Sequence, residues 1–376
     1  MNIIDRGTIY PGNKQCNRNS CIFPSVCILA DGRWVAGFRA APSKSELPGQ
    51  EVVITWSDDE GKNWSELITP FIQQMVDGRQ GSFRTVHLLA LGGQRLLAAL
   101  SWIDQTKPEL AFFNTVTEGL LDARIFLSFS EDGGESWSLP SLMDTPAFPV
   151  PTPTTGPVLR LGNGELACQF ELNKHYDDPA VWRHSAVLMF SKDEGVTWKE
   201  HSIAAHDPAN RFYYWDQRPS VFSSGELLNV FWTYDNELAQ YANIHMRKSV
   251  DHGRTWSEYR DTGVPGQPAP VVPFGDNAIA MVYVDRTGTP AIRMKTSKDG
   301  GLSWSEATLD VSKPEGASQT REKGSMQDAW AEMSLYSKGL PGTAVLANGD
   351  ILIVYYDGPG TDYTGIEWVR VQKPKH

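Results

Sequence analysis

Cysteine is scarce, with four in 376 residues: Cys16, Cys21, Cys27 and Cys168. None belongs to a Cys-x-x-Cys pair, so neither a zinc site nor a redox motif is indicated. Cys27 and Cys168 sit in apolar, strand-like stretches and read as buried thiols. Cys16 and Cys21 are close enough in sequence to pair if the compartment is oxidising. Basic residues are also short: 34 Lys and Arg stand against 45 Asp and Glu, for a net charge of −11. With no run of Lys and Arg, the chain is not expected to bind nucleic acid. No apolar run reaches the ~18 residues of a membrane span, so no membrane partner is expected. The opening MNIIDRGTIYPGNKQ lacks the apolar core of a secretory leader, and the expected location is cytoplasmic unless a leader has been removed.

Glycine, proline and aromatic residues are plentiful, with 33 Gly, 24 Pro and 13 Trp. That mixture favours short strands joined by tight turns. Hydrophobic residues make up 40% of the chain and charged residues 21%, enough to build a large core.

The strongest signal is internal repetition. One octapeptide occurs five times: SDDEGKNW at Ser57–Trp64, SEDGGESW at Ser130–Trp137, SKDEGVTW at Ser191–Trp198, SVDHGRTW at Ser249–Trp256 and SKDGGLSW at Ser297–Trp304. The common pattern is Ser-x-Asp-x-Gly-x-[Thr/Ser/Asn]-Trp. Its Asp accepts hydrogen bonds from nearby backbone N–H groups, and its Gly takes a backbone shape that other residues resist. The Trp packs on the sheet. One Asp per turn is too few ligands for calcium, so the octapeptide reads as a structural turn between strands, and no metal or other cofactor is expected.

Each octapeptide follows an apolar strand, a small turn and a second apolar strand. A sixth such pair at Gly342–Gly358 has no octapeptide after it and is trailed by Gly365–Gln372. Six strand pairs, five extended by a turn-linked pair, predict six four-stranded units arranged radially: one all-β, six-bladed β-propeller domain spanning residues 1–376. Ile3–Tyr10 is expected to supply the outer strand of the sixth unit.

The repeats are Asp boxes, and the chain resembles the sialidase (neuraminidase) superfamily of six-bladed propellers. The resemblance covers nearly the whole chain. It implies a central pocket on the face opposite the boxes and a carbohydrate substrate, with function residing in the pocket and not in the turns. Sialidases carry three arginines for the sialate carboxylate, a Tyr nucleophile paired with Glu, and an Asp acid. Where their first arginine belongs, in an Arg-Ile-Pro motif, this chain reads Ile22-Phe23-Pro24. Glu46 stands where the Asp acid would be. Tyr336-Ser337 lies about four residues early for the nucleophile motif. These departures argue against plain sialic acid as substrate.

Topology alone places the starts of first strands and the loops after second strands on the pocket face. Arg39, Arg84, Arg218 and Arg286 fall there and are candidates to hold an acidic group. Arg218 is the best placed, because a strand start at the pocket centre is a costly position for an idle charge. The same face offers His175, Trp215, Asp216, Tyr234, Glu237, Tyr356 and Asp357 as substrate-binding candidates. Fungal exo-arabinanases, which share this propeller, are similar in placing two carboxylates after the second strands of units three and four. Glu171 and Asp235 occupy those places and are the expected acid/base and nucleophile, with Glu46 as reserve acid. The expected activity is exo-acting glycoside hydrolysis. A sialidase with a rearranged arginine cluster, or a non-hydrolytic lectin or lyase, are the alternatives.

Overall fold

The structure is a computed structural model that describes residues 1–45, 47–315 and 323–373. It is all-β and propeller-like. Each of the five Asp boxes begins at the last residue of a strand: Glu51–Ser57, Ala123–Ser130, Ser185–Ser191, Asn243–Ser249 and Ala291–Ser297.

The boxes share one Ser-Asp-Gly hydrogen-bond pattern, which explains the shared spacing of these residue types. The Trp indole joins it in the first three boxes. Trp256 instead donates to the Ser202 hydroxyl at 3.5 Å, and the Trp304 indole has no hydrogen-bond partner among the described residues. In the first, the Ser57 hydroxyl donates to Asp59 at 2.9 Å and accepts the Gly61 N–H at 2.9 Å. Asp59 in turn accepts the Asn63 N–H at 2.8 Å, and the Trp64 indole donates to the Gly61 carbonyl at 3.1 Å. Gly61 has φ +84°, a left-handed backbone that a side chain would strain. The third box repeats the scheme with Ser191, Asp193, Gly195, Thr197 and Trp198. Adjacent boxes are tied by charge: Arg33 donates to Asp58 at 2.7 Å and to Glu135 at 2.9 Å.

The strands of the described residues form five hydrogen-bonded sheets. Four are separate antiparallel units, and the largest has seven strands because it joins the two ends of the chain. There Gly339–Val345, Ile351–Gly360 and Tyr363–Val371 meet Ser20–Ile28, Trp34–Ala41 and Glu51–Ser57 through one parallel contact, Ser20 with Thr364. The N-terminal strand Ile3–Tyr10 pairs antiparallel with Tyr363–Val371. This is the closing strand expected from the sequence, and it ties the chain's beginning to its end. Inner strands such as Trp34–Ala41 and Ile279–Asp285 are buried throughout. Their apolar side chains pack between neighbouring sheets, as in the cluster of Val35, Ile54, Val86, Leu96 and Leu100.

All four cysteines are free thiols, so the Cys16–Cys21 pairing does not form. Cys27 and Cys168 are buried as expected, and burial raises both thiols to about 12. No described helix is long and apolar enough to cross a membrane.

One helix was not foreseen. Met326–Met333 follows Ser325, whose hydroxyl accepts the Asp328 N–H at 3.3 Å. The Ser-x-x-Asp spacing is the sequence signal of that cap.

Candidate active site

First strands converge on one cavity of about 530 Å³. Its wall takes residues from six successive segments: Ile22–Val26, Arg84–His87, Pro153–Pro157, Trp215–Arg218, Gln267–Pro270 and Leu340–Thr343. No Asp-box residue lines it, in keeping with boxes on the opposite face.

A repeated backbone device aims side chains into this cavity. Strand pairing slips between Ile22 and Ser25, Phe83 and Thr85, Trp215 and Arg218, and Gly339 and Gly342. Phe23, Arg84, Asp216 and Leu340 lie in these slips, and all four line the cavity. Phe23, Asp216 and Leu340 have φ of 58°, 47° and 47°. Bulges of this kind redirect side chains, and non-glycine residues held at positive φ cluster where function requires them.

Glu171 lies one residue before the end of the strand Leu166–Leu172 and is buried on the cavity wall. Its carboxylate accepts the Asp216 backbone N–H at 2.5 Å. The buried His184 ring places Nε2 3.3 Å from the other carboxylate oxygen, outside hydrogen-bonding geometry. Asp216 accepts the Gln267 amide at 2.6 Å and lies 3.5 Å from Arg218. Arg218 also donates to the backbone carbonyls of Thr155 and Gln217. Glu171, Asp216 and Arg218 thus form one polar patch on the wall.

The opposing character of the cavity is aromatic. Trp182, Trp215, Trp232 and Trp330 line it with Phe112 and Phe113. Trp330, on the unforeseen helix, stacks on Phe113 with ring centres 4.2 Å apart and planes 6° apart. Flat aromatic faces beside a polar patch suit the apolar face and hydroxyl edge of a sugar.

Several expected residues lie elsewhere. Asp235 is not among the cavity-lining residues. Its carboxylate accepts from Arg211 at 2.7 Å and from the Glu237 and Leu238 N–H groups at 3.1 Å. Burial pushes its pKa up, but these bonds prevail and hold it below the usual carboxylate range. The expected Glu171–Asp235 pair across the cavity is therefore not formed, because the loop after Leu227–Asp235 folds Asp235 onto its own arginine. Glu237 is exposed beside Arg211, 3.4 Å away. His175 is exposed and bound to the Pro149 carbonyl at 2.9 Å. Tyr234 is buried behind Trp215, stacked with centres 5.0 Å apart. Arg39 is fully buried and holds the 43–44 loop through its carbonyls, with Gln50 at 2.7 Å. Asp357 pairs with Lys338 at 2.8 Å. Burial raises its pKa against that pairing. Glu46 lies outside the described residues.

Arg286 lies at a second cavity of about 470 Å³ that adjoins the first at Trp232 and Tyr336, which line both. Its guanidinium sits 3.8 Å over the Tyr336 ring and donates to Gln267 at 3.0 Å. The Tyr336 hydroxyl is raised by burial, opposed by Arg286, and meets Glu332 and Tyr241. Tyr356 lines the main cavity, and burial lifts its hydroxyl to about 12 against the pull of Arg286.

Lys44 and His87 were missed from the sequence. Lys44 donates to the Met333 and Tyr336 carbonyls at 2.7 and 2.6 Å, pinning the end of the helix to the rim. His87 is pushed down to about 3 by burial, with Arg218 adding to the effect, so its ring is neutral. The Ser-Lys-Ser loop and the Val-His-Leu strand carry no motif that would flag either residue.

The family described as BNR repeat-like domain matches residues 109–330. The chain belongs to that family. Its propeller-like arrangement resembles the fold of solved sialidases. No curated protein matches the sequence. Among solved structures, a protein of unknown function from Dyadobacter fermentans is 20% identical with TM-score 0.73, covering 99% of each chain. The intramolecular trans-sialidase of Ruminococcus gnavus, bound to oseltamivir carboxylate, is 14% identical with TM-score 0.65 and full coverage of both chains. The NanB sialidase of Streptococcus pneumoniae is 15% identical with TM-score 0.64, over 97% of this BNR chain and 70% of the other. At these identities the likeness is one of fold.

Proposed function

We propose that this BNR protein is a single-domain, six-bladed propeller and a glycoside hydrolase acting on a terminal sugar other than plain sialic acid. Six wall segments around one cavity support the blade count, the seven-stranded sheet being taken as two blades joined at Ser20 and Thr364. The observation that carries the activity is Glu171, a carboxylate buried on the cavity wall beside Asp216 and Arg218. A buried carboxylate without a task is costly.

In this reading Glu171 gives its proton to the leaving oxygen as the anomeric C–O bond breaks, and takes one back from the water that then bonds to the anomeric carbon. Asp216, steadied by Gln267 and Arg218, supports the positive charge that develops on the sugar. Ile22, fully buried on the cavity wall, stands where the first sialate-binding arginine would be and offers no bond to a carboxylate.

A second reading follows from Tyr336. Its contact with Glu332 beside Arg286 matches the Tyr–Glu chemistry of a rearranged sialidase. A panel of aryl glycosides containing a sialoside, an arabinofuranoside and neutral hexosides separates the two. Turnover of a non-sialic glycoside is expected. Turnover confined to the sialoside supports the second reading, and no turnover with saturable binding indicates a lectin.

A further inference from the structure

Arg84 has neither a hydrogen-bonding nor an ion-pair partner among the described residues, and its Nη1 is buried. It lines the cavity from a bulge in the strand Arg79–Gly92, with its guanidinium 5.4 Å from the Phe23 ring centre and 5.0 Å from that of Phe112. The two rings cover the cation without neutralising it. Four more buried polar atoms of the same wall lack partners among the described residues: the hydroxyls of Thr85 and Thr155 and the indole nitrogens of Trp215 and Trp330. Buried polar atoms are almost always satisfied, so a group of orphans on one cavity points to a ligand that satisfies them.

The surroundings are electropositive. Burial, reinforced by Arg286, Arg84 and Arg39, holds Lys44 well below its usual pKa. Burial draws Arg84 down to about 10, which leaves it charged at neutral pH. Arg218, by contrast, already has Asp216 and two carbonyls.

We propose that the sugar accepted by this cavity is a hexuronic acid whose carboxylate is bound by Arg84, with Thr85, Thr155 and Trp215 meeting its other oxygens. One unpaired guanidinium matches one negative charge. Its planar N–H edge fits a flat carboxylate in two parallel bonds. This inference rests on reading the cavity as a sugar site, but not on hydrolysis.

The test is equilibrium binding, followed by tryptophan fluorescence in the full chain carrying Glu171→Gln so that no ligand is consumed. The probes are methyl glycosides of glucuronate, galacturonate and mannuronate, the corresponding neutral hexosides, and glucose 6-sulfate. At least one uronate is expected to bind about tenfold or more tightly than its neutral counterpart, as a charge-assisted pair requires. Adding Arg84→Gln should abolish that preference while leaving neutral-sugar affinity within about twofold. Arg84→Lys should restore part of it. The thermal midpoint should fall by no more than a few degrees in either variant, since among the described residues Arg84 makes no hydrogen bond or ion pair that folding would lose and only its ring contacts are weakened.

Equal affinity for uronate and neutral sugar overturns the proposal. So does an equal loss of both in Arg84→Gln, or no saturable binding of any uronide. Tighter binding of the sulfate ester overturns the carboxylate assignment. The hydrolase reading fails separately, if the uronate preference holds while Glu171→Gln turns over glycosides like the wild type.

Discussion

The Glu171 carboxylate accepts the backbone N–H of Asp216 at 2.5 Å, linking two neighbouring sheets at the cavity wall. The bond exists because the first strand of the fourth unit bulges at Asp216, with φ 47°. An unbulged strand would spend that N–H in the sheet ladder.

Glu171→Gln therefore keeps the acceptor and loses only the ionisable proton. The thermal midpoint should stay within a degree or two of wild type, while hydrolysis falls by about 100-fold or more, the usual share of acid–base work. Calorimetry and steady-state kinetics on the same preparation check both halves. A loss smaller than about tenfold removes Glu171 from the chemistry.

Asp235→Asn should do the reverse. It weakens the pairing with Arg211 and lowers stability by about 1–2 kcal/mol, a charge-assisted bond in a partly exposed setting. Catalysis should change less than about threefold. Urea unfolding beside activity measures this, and a catalytic collapse with unchanged stability would restore Asp235 to the mechanism.

The Asp boxes predict the acid limit of the fold. Thr197 holds Asp193 down to about 2 through its hydroxyl and N–H. Asp251 is also near 2, where burial pushes upward but the bonds from Thr255 prevail. A depressed carboxylate stabilises the fold above its unfolded pKa of ~3.9, and that contribution is lost as pH falls through the folded value. The thermal midpoint should be flat above about pH 5 and drop between about pH 4 and 2. Thr197→Val should lower the plateau above about pH 5 and make the drop smaller, because it raises only the folded value and the start of the drop is set by the unfolded one. A midpoint that rises on acidification would contradict this.

Trp198, buried against the core with its indole N–H on the Gly195 carbonyl at 3.1 Å, is a structural residue. Trp198→Ala should cost about 3–5 kcal/mol. Substrate KM should be unchanged in the fraction that folds, as shown by kinetics below the lowered midpoint.

The fold was legible because its signals are local. The Ser, Asp and Gly of each turn bond to one another within eight residues, so five copies mark five strand ends wherever the chain goes next. The cavity face was legible too, since Arg84, Asp216, Arg218 and Ile22 were all placed there from strand direction alone. What failed was the assignment of individual loop residues. Asp235 and His175 sit in loops that turn back on local partners, Arg211 and the Pro149 carbonyl. Loop length does not reveal such pairings. Bulges were equally hidden, and they decide that Asp216, not Asp235, stands beside Glu171. The Met326–Met333 helix had a visible cap at Ser325 but no periodic apolar stripe long enough to suggest that it walls the cavity.

The most direct measurement compares wild type, Glu171→Gln and Tyr336→Phe on the best glycoside of the panel, with kcat, KM and thermal midpoint for each. The account predicts that Glu171→Gln loses about 100-fold or more in kcat at unchanged midpoint, whereas Tyr336→Phe loses less than about tenfold. A near-wild-type kcat in Glu171→Gln together with an inactive Tyr336→Phe would contradict it and move the chemistry to Tyr336 and Glu332.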